Sequence, residues 1–589
     1  VAGEILRTFV QLALGLFNGP GADGRWHVFP LALVFALAGL ILLWRSSSAF
    51  AKRLALACLG WIVLGMAATT TLQTATWHHH RYQMPLYPAL IVPLALALSA
   101  LAARIVQQRP ARIQWMMRLA VIGVVVLWSA LSLADFGAAY ALDTGTVVAQ
   151  QMIMADWLRD NTPEDALIAV HDVGAMRYLG QRTTFDVVGL TSEGMARAQR
   201  SGPGAIYEAL EQVQPDFYAV YPDAAPPFYG LDWAADLLGE ELFRVTAAPW
   251  SSYTSASPTQ VVTRPDWSGT ALADLPQQPD VLEALAGWRL TDRLDVADLN
   301  SEDAHDHTWW DDQVVEGFAT VPRRLSYRAD AAITLTDGGR WITGGEAFTL
   351  ATPERGAWLV LVARVHQITA QTLRVTVDGV EAGLWRLPAI PGEWLESAFR
   401  VPPDLVRGAQ TRVELEVVGG DTSGDRFRPF YFWAYQGQPP THPPAPATIS
   451  GAAFGEVVRL RGFDLPGRRF SPGESLTLLL YWEALTPDRA GQADRRVFVH
   501  VVAAQNDTAE GIVAQFDGPP RQGTYPFWVW REDETVTDAV QLTLPADTPA
   551  GEYVVLLGIY DPANGERLPI VGGQDYGASR LVLGRITVR

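Results

Sequence analysis

Five apolar runs fill the first quarter of the chain, at about residues 5–17, 27–44, 54–72, 84–106 and 116–136, and the last four carry almost no charge inside them. A bilayer core takes roughly 20 apolar residues as helix, so these runs predict a bundle of transmembrane helices over residues 1–136. Basic residues divide the loops between them. Arg45, Lys52 and Arg53 flank the second loop and Arg104, Arg109, Arg112 and Arg118 the fourth, against Arg25 and Arg81 in the others. The positive-inside tendency then puts loops two and four in the cytoplasm, and the loop holding Arg81, with everything after residue 136, outside.

The pattern changes at residue 137. Apolar spacing over Val147–Leu158 fits a helix closed by Arg159-Asp160-Asn161-Thr162-Pro163, where proline stops it. Leu167–His171, Thr184–Leu190 and Asp216–Tyr221 read as short buried strands, with a helix over Ile206–Val213. Helices alternating with apolar strands predict a small α/β domain, residues 137–265, on a partly parallel sheet.

Beyond residue 280 the period shortens to two. Ala347–Leu350, Trp358–Val365, Leu373–Val377, Ala398–Val401 and Arg412–Val418 alternate between Gly, Pro and Asp turns, which predicts a β-sandwich over 281–437. The proline-rich stretch 438–446 is a stiff extended linker. Ser475–Trp482, Arg496–Val502, Ala539–Leu544 and Tyr553–Tyr560 repeat the pattern in a second sandwich, 447–589.

Charge sharpens this division. Residues 1–136 hold ten basic and three acidic residues, a net +7, which leaves −25 of the overall −18 for the remainder. A basic apolar front with an acidic, tryptophan-rich remainder implies a membrane region and a soluble part that repels nucleic acid. Cys58 is the one cysteine, so the chain has neither a disulfide framework nor a cysteine zinc site.

Candidate chemistry starts at Trp77-His78-His79-His80-Arg81-Tyr82, at the outer mouth of the fourth apolar run. Imidazoles charge near pH 6.5 and a guanidinium grips phosphate through two N–H groups, so this cluster suits a lipid phosphate. Interfacial anchoring by Trp, Tyr, His and Arg explains the same residues equally well. Adjacent histidines on one helix face different ways, which works against a metal there.

From this point the chain resembles the GT-C glycosyltransferases, relatives of the protein mannosyltransferases and aminoarabinose transferases. The resemblance rests on His80-Arg81-Tyr82, then Met84-Pro85-Leu86-Tyr87-Pro88-Ala89-Leu90, then Trp157–Ala166, His171-Asp172-Val173-Gly174-Ala175 and Phe185–Leu190, in that order, within residues 1–265. It implies transfer of a sugar from a polyprenyl-phosphate donor to a lipid, protein or glycan acceptor outside the membrane, with His79, His80, Arg81 and Tyr82 on the lipid phosphate. The family keeps its catalytic acid in the first outer loop. Here that loop offers only Asp23 in a glycine-rich setting, so the catalytic residue is unassigned, and the resemblance implies the C-terminal portion of such an enzyme. A membrane-anchored, non-catalytic surface protein with carbohydrate-binding sandwiches is the alternative.

Two other clusters stand out. His171 and Asp172 end a strand, where open α/β sheets place ligands, but neighbours on a strand point opposite ways, which favours a structural turn; Arg177, Asp186 and Glu193 have no stronger claim. Asp303-Ala304-His305-Asp306-His307-Thr308-Trp309-Trp310-Asp311-Asp312 combines ligands for a divalent cation with Trp309 and Trp310 as stacking faces for a sugar. Charged loops with aromatics are also ordinary at a sandwich edge. The first sandwich resembles the carbohydrate-binding-module jelly roll. The second, with Phe498-Val499-His500, Gln515–Pro520 and Gly558–Asp561, resembles the accessory β-domain of some bacterial GT-C proteins.

Overall fold

The computed structural model describes residues 18–20, 26–28, 32–70, 82, 84–107, 109–222, 238–268, 270–311, 319–420, 427–438, 445–465, 467–486, 495–504, 511–531 and 534–589. The first predicted apolar run and His78–Arg81 lie outside these residues. Two compact units form: residues 1–186, 215–225 and 240–264 make one, and 187–214, 226–239 and 265–589 the other.

In the first unit the predicted run 27–44 is divided. Trp26–Val28 pairs antiparallel with Asn18–Pro20, and helix α1 covers Ala32–Arg45. Pro30 lies between the two, and a proline works against carrying a helix back across its own position. Helices α2 (Ala49–Thr70) and α3 (Tyr87–Val106) follow. Gly39 lets α1 meet α3, since a Cβ there would fall 1.8 Å from the Pro93 carbonyl oxygen. Close backbone approach through small residues is how helices associate where water is absent. Among the described residues three stretches are helical, long and apolar enough to cross a membrane: Ala49–Thr70, Met84–Val106 and Ala111–Asn161.

The third stretch departs from the sequence reading. Helix α4 (Ala111–Val147) continues through a π turn (Val148–Met152) into α5 (Ile153–Asn161), 51 residues without a break. Gly137 and Gly145 weaken this helix, but no proline or capping side chain ends it, and Ala138, Ala139, Ala141 and Leu142 favour its continuation. In the π turn the fully buried Gln150 turns inward and donates Nε2 to the Ser257 carbonyl at 2.9 Å. Met154, Ala155 and Leu158 then pack on the sheet core with Ile168, Val170 and Ala219.

That sheet contains β1 (Leu167–Val170), β2 (Thr183–Asp186), β3 (Phe217–Val220), β4 (Glu240–Thr246) and β5 (Thr259–Arg264) in the order β2-β1-β3-β5-β4. β1 runs parallel to β2 and β3; β5 is antiparallel to β3 and to β4. Helix α6 (Val173–Gly180) makes the β1-to-β2 crossover. β2 is shorter than the predicted 184–190 strand, because Gly189 turns the chain at φ +86° and lies against the backbone of Ala196.

In the second unit, helices α7 (Met195–Ser201) and α8 (Pro203–Val213) precede the first sandwich. The sandwich strands are β6 (Arg289–Asp295), β7 (Thr308–Trp310), β8 (Thr320–Tyr327), β9 (Thr334–Arg340), β10 (Gly345–Ala351), β11 (Trp358–Val365), β12 (Gln371–Val377), β13 (Val380–Leu387), β14 (Glu393–Val401), β15 (Gln410–Gly420) and β16 (Pro429–Gly437). One sheet reads β9-β8-β14-β11-β16-β6 and the other β13-β12-β15-β10-β7. β12 alternates buried and half-buried positions, as the period of two requires, while β11 is buried almost throughout. Phe348, Leu361, Val375, Trp385, Leu395 and Phe399 fill the space between the sheets.

The second sandwich stacks two five-stranded sheets. Its longest strands are Ser475–Ala484 and Thr535–Thr543 in one, Arg496–Ala503 and Gly551–Tyr560 in the other. Trp482 and Trp530 are wholly buried between them. Trp394 and Trp433 of the first sandwich are also wholly buried, so four of the sandwich tryptophans serve as core.

Helix α8 belongs with the first sandwich. Gly202 (φ +114°) and Pro203 start it, and Ile206, Tyr207 and Leu210 are buried along it. Gly204 meets β8 so closely that a Cβ would fall 2.7 Å from the Val321 nitrogen. The Ala205 amide donates to Thr320 Oγ1 at 3.1 Å, and the Tyr207 hydroxyl to the Thr336 carbonyl at 3.2 Å.

Candidate functional site

Of the residues read as a phosphate grip, His79, His80 and Arg81 lie outside the described residues. Tyr82 is half-buried and lies two residues before Met84, where the 84–86 turn that opens α3 begins. There the Trp61 indole donates to the Pro85 carbonyl at 2.9 Å, fixing the start of α3 against α2.

His171 and Asp172 follow β1 at the edge where ligands bind in parallel sheets. Instead of diverging, both engage Tyr221, the residue after β3. The Tyr221 amide donates to His171 Nδ1 at 3.1 Å, the rings stack at 5.3 Å, and the Tyr221 hydroxyl donates to Asp172 Oδ2. Gln260 and Gln151 donate to the same oxygen at 2.9 and 3.1 Å. Burial pushes the His171 imidazole down to about 3, so it is neutral and an acceptor at Nδ1. This is a clamp across the sheet edge, in keeping with the structural-turn reading.

The Asp303–Asp312 cluster separates into distinct roles. Asp303 pairs with Arg197, His305 bridges the Ser301 carbonyl (2.6 Å) and Asp292 (3.3 Å), and Asp311 accepts from the Thr343 amide at 2.9 Å. His307 is enclosed, with Nε2 2.8 Å from Glu346 and Nδ1 3.5 Å from Glu302. Arg340 grips Glu302 with two hydrogen bonds at 2.5 and 2.6 Å. Burial opposes a charge on His307, but Glu302 and Glu346 outweigh it and lift the imidazole to about 9. Burial likewise opposes ionised Glu302, and His307 with Arg340 outweighs it, taking the carboxyl down to about 2. For Glu346 burial prevails and raises it. His307 is therefore a cation between Glu302 and Glu346, with Arg340 paired to Glu302 beside it.

The two tryptophans of the cluster differ. Trp310 closes over Gly344 and Gly345, where a Cβ would fall 2.6 and 2.4 Å from its ring. Trp309 stays 41% exposed on edge strand β7, with Arg340 3.6 Å from its ring centroid on one side and His307 stacked at 6.0 Å. Of the two, Trp309 is the more exposed.

A further cavity, about 350 Å³, opens between α8 and the first sandwich and is lined by Glu208, Glu211, Asp274, Asp295, Asp337 and Tyr431, among others. Glu208 Oε1 accepts from the Gly338 amide at 2.6 Å, and Asp337 Oδ2 from Arg364 at 2.7 Å. Burial and then mutual repulsion hold Glu208 and Asp295 well above the usual carboxylate range and raise Glu211 to about 8. Asp337 is lifted by burial to about 7 despite Arg364. Sequence reasoning missed this site, since its acids come from α8, β6, β9 and the segment around Asp274 and share no local motif.

Residues 144–282 match a family described as a domain of unknown function, DUF8728. No curated protein matches the chain. Solved structures similar to it include a β-glucuronidase from Bacteroides uniformis, at 10% identity over 39% of this chain and 26% of that one, TM-score 0.14. A family 35 carbohydrate binding module from Clostridium thermocellum is similar at 9% identity over 20% of this chain and 88% of that one, TM-score 0.14. The CBM36-1 domain of a multidomain xylanase from the hindgut metagenome of Trinervitermes trinervoides is similar at 10% identity over 20% of this chain and 86% of that one, TM-score 0.14. The chain spans about a quarter of the length of the glucuronidase it matches.

Proposed function

We propose that this chain works in a membrane glycosyltransferase of the GT-C kind, in which a sugar leaves a polyprenyl-phosphate donor at the outer face of the cell membrane for a glycan or lipid acceptor. The observation that carries this reading is the unbroken Ala111–Asn161 helix. It leaves an apolar span that none of the described residues buries and ends inside the core of the α/β sheet. At 1.5 Å per residue it is about 76 Å long, against about 30 Å for a bilayer core, so the sheet is held on a stiff post above the membrane. Together with the basic loops 45–53 and 104–118, that post supports residues 137–589 being extracytoplasmic. In this reading His79, His80 and Arg81, with Tyr82, hold the departing lipid phosphate at the mouth of α3, and preorganised charge there stabilises the transition state.

The test is Arg81→Ala in the full-length protein in membranes, assayed with a polyprenyl-phosphate sugar. Turnover falls by about 10²–10³, the range for losing one such charge-stabilising group. Unchanged turnover refutes the assignment.

A second reading, a non-catalytic surface protein that holds glycans, is favoured by the exposed ring of Trp309. Wild-type protein with no transferase turnover, in which Trp309→Ala abolishes glycan retention without moving the melting midpoint, would establish that alternative.

A further inference from the structure

We propose that Glu208, Asp295 and Asp337 form a binding site for a hard divalent cation, calcium by size and ligand chemistry, which clips helix α8 to the first sandwich. One carboxylate oxygen from each residue lies within 4.8 Å of the other two. Calcium holds its oxygens at about 2.3–2.6 Å, so ligands on opposite sides of one ion stand about 4.6–5.2 Å apart, and a single ion can touch all three.

Four observations converge on this reading. First, Asp295 Oδ1 is cut off from solvent and makes no hydrogen bond. A buried carboxylate oxygen without a donor is costly, and a cation at that point removes the cost. Second, carboxylates outnumber cations there. Glu211, Asp274 and Asp298 line the same cavity as the three ligands, against Arg293 in its wall, 3.4 Å from Asp274, and Arg364, which holds Asp337 Oδ2 at 2.7 Å and leaves its other oxygen for an ion. Third, the cavity of about 350 Å³ leaves room for the waters that complete a calcium shell. Fourth, the backbone has been cleared for Glu208, because any side chain at Gly338 would place its Cβ 2.4 Å from Glu208 Oε1.

The donors are all oxygen, which selects a hard cation over zinc or copper. Calcium takes about six to eight oxygens at about 2.3–2.6 Å in a flexible shell, which suits three carboxylates held on three separate elements better than the strict octahedron of magnesium. The consequence is mechanical. Glu208 lies on α8, Asp295 ends β6 and Asp337 lies within β9, so one ion joins three elements distant in sequence.

The experiment uses the full chain, solubilised in detergent, stripped with EDTA and titrated with calcium chloride in a calorimeter. Terbium luminescence excited through Tyr431, which lines the cavity, gives a second readout. The expected result is one ion per chain with Kd of about 10⁻⁶–10⁻⁴ M, in the range of sensor and weaker calcium sites. Asp295→Asn weakens binding about tenfold or more. Glu208→Gln, which keeps the acceptor for the Gly338 amide, gives the same result should the first variant fold poorly. Absence of saturable binding to the wild type, or unchanged affinity in a folded variant of either kind, overturns the proposal. Neither result bears on Arg81 or on sugar transfer.

Discussion

Arg364→Met is the sharpest probe of what holds the first sandwich together. The guanidinium is wholly buried and makes hydrogen bonds to Asp337 (2.7 Å), Glu396 (3.1 Å), the Tyr327 hydroxyl (3.0 Å) and the Ala273 and Leu275 carbonyls (2.8 and 3.0 Å). It also sits 4.9 Å from the ring centroid of Trp433. Methionine fills most of the volume but leaves Asp337 and Glu396 buried without their cation. Removing one partner of a buried pair costs about 3–5 kcal/mol. For a domain of this size each kcal/mol moves the midpoint by about 2–4 °C, so the expected drop is about 6–20 °C. Thermal unfolding followed by tryptophan fluorescence in EDTA reads this out. The triple variant Arg364→Met, Asp337→Asn, Glu396→Gln then recovers more than half of the loss, because the buried charges leave together. A drop under 2 °C, or a triple variant no better than the single one, refutes the argument.

Two further outcomes follow from the geometry. The His307 imidazole is held at about 9 against an ordinary value near 6.5, so its pairing with Glu302 and Glu346 stabilises the fold fully below pH 6.5 and fades as pH rises through 9. The difference is about 3 kcal/mol between pH 6 and pH 10, read from urea midpoints and absent in His307→Gln. Gly204→Ala forces a Cβ against the Val321 nitrogen at 2.7 Å, and overpacking of that kind costs about 1–3 kcal/mol, visible as a lower melting midpoint; an unchanged midpoint would mean that α8 is free to shift.

The elements that sequence made legible are those whose environment is uniform. The runs that became α2 and α3 were plain because nearly every position is apolar. Trp358–Val365 was plain as a short, almost wholly apolar run, and Leu373–Val377 because β-branched residues and alternation agree. β9 was not legible, since Thr334–Arg340 carries Asp337, two glycines and an arginine that are buried through ion pairs and hydrogen bonds, and a hydropathy pattern has no sign for those. The join between α4 and α5 was missed for the opposite reason: an exposed helical post needs no apolar stripe. His307 was noticed as a ligand, but its neighbours Glu346 and Arg340 lie more than 30 residues away, so its identity as a buried cation depends on strand pairing. The cavity acids are invisible to any local reading, with Glu208 and Gly338 130 positions apart.

The docking of α8 on strands β8 and β9 also sets a timetable for synthesis. Tyr207 leaves the ribosome 129 residues before its acceptor at Thr336. At about 5–20 residues per second that is an interval of roughly 6–26 s before the docking of Ile206, Tyr207 and Leu210 on the sandwich can be complete. The α/β sheet resumes at β3 only after this helix, so the nascent chain must carry an unsatisfied apolar segment between two parts of the sheet. Slowed translation upstream of residue 336 should therefore raise the demand for holding chaperones in this protein.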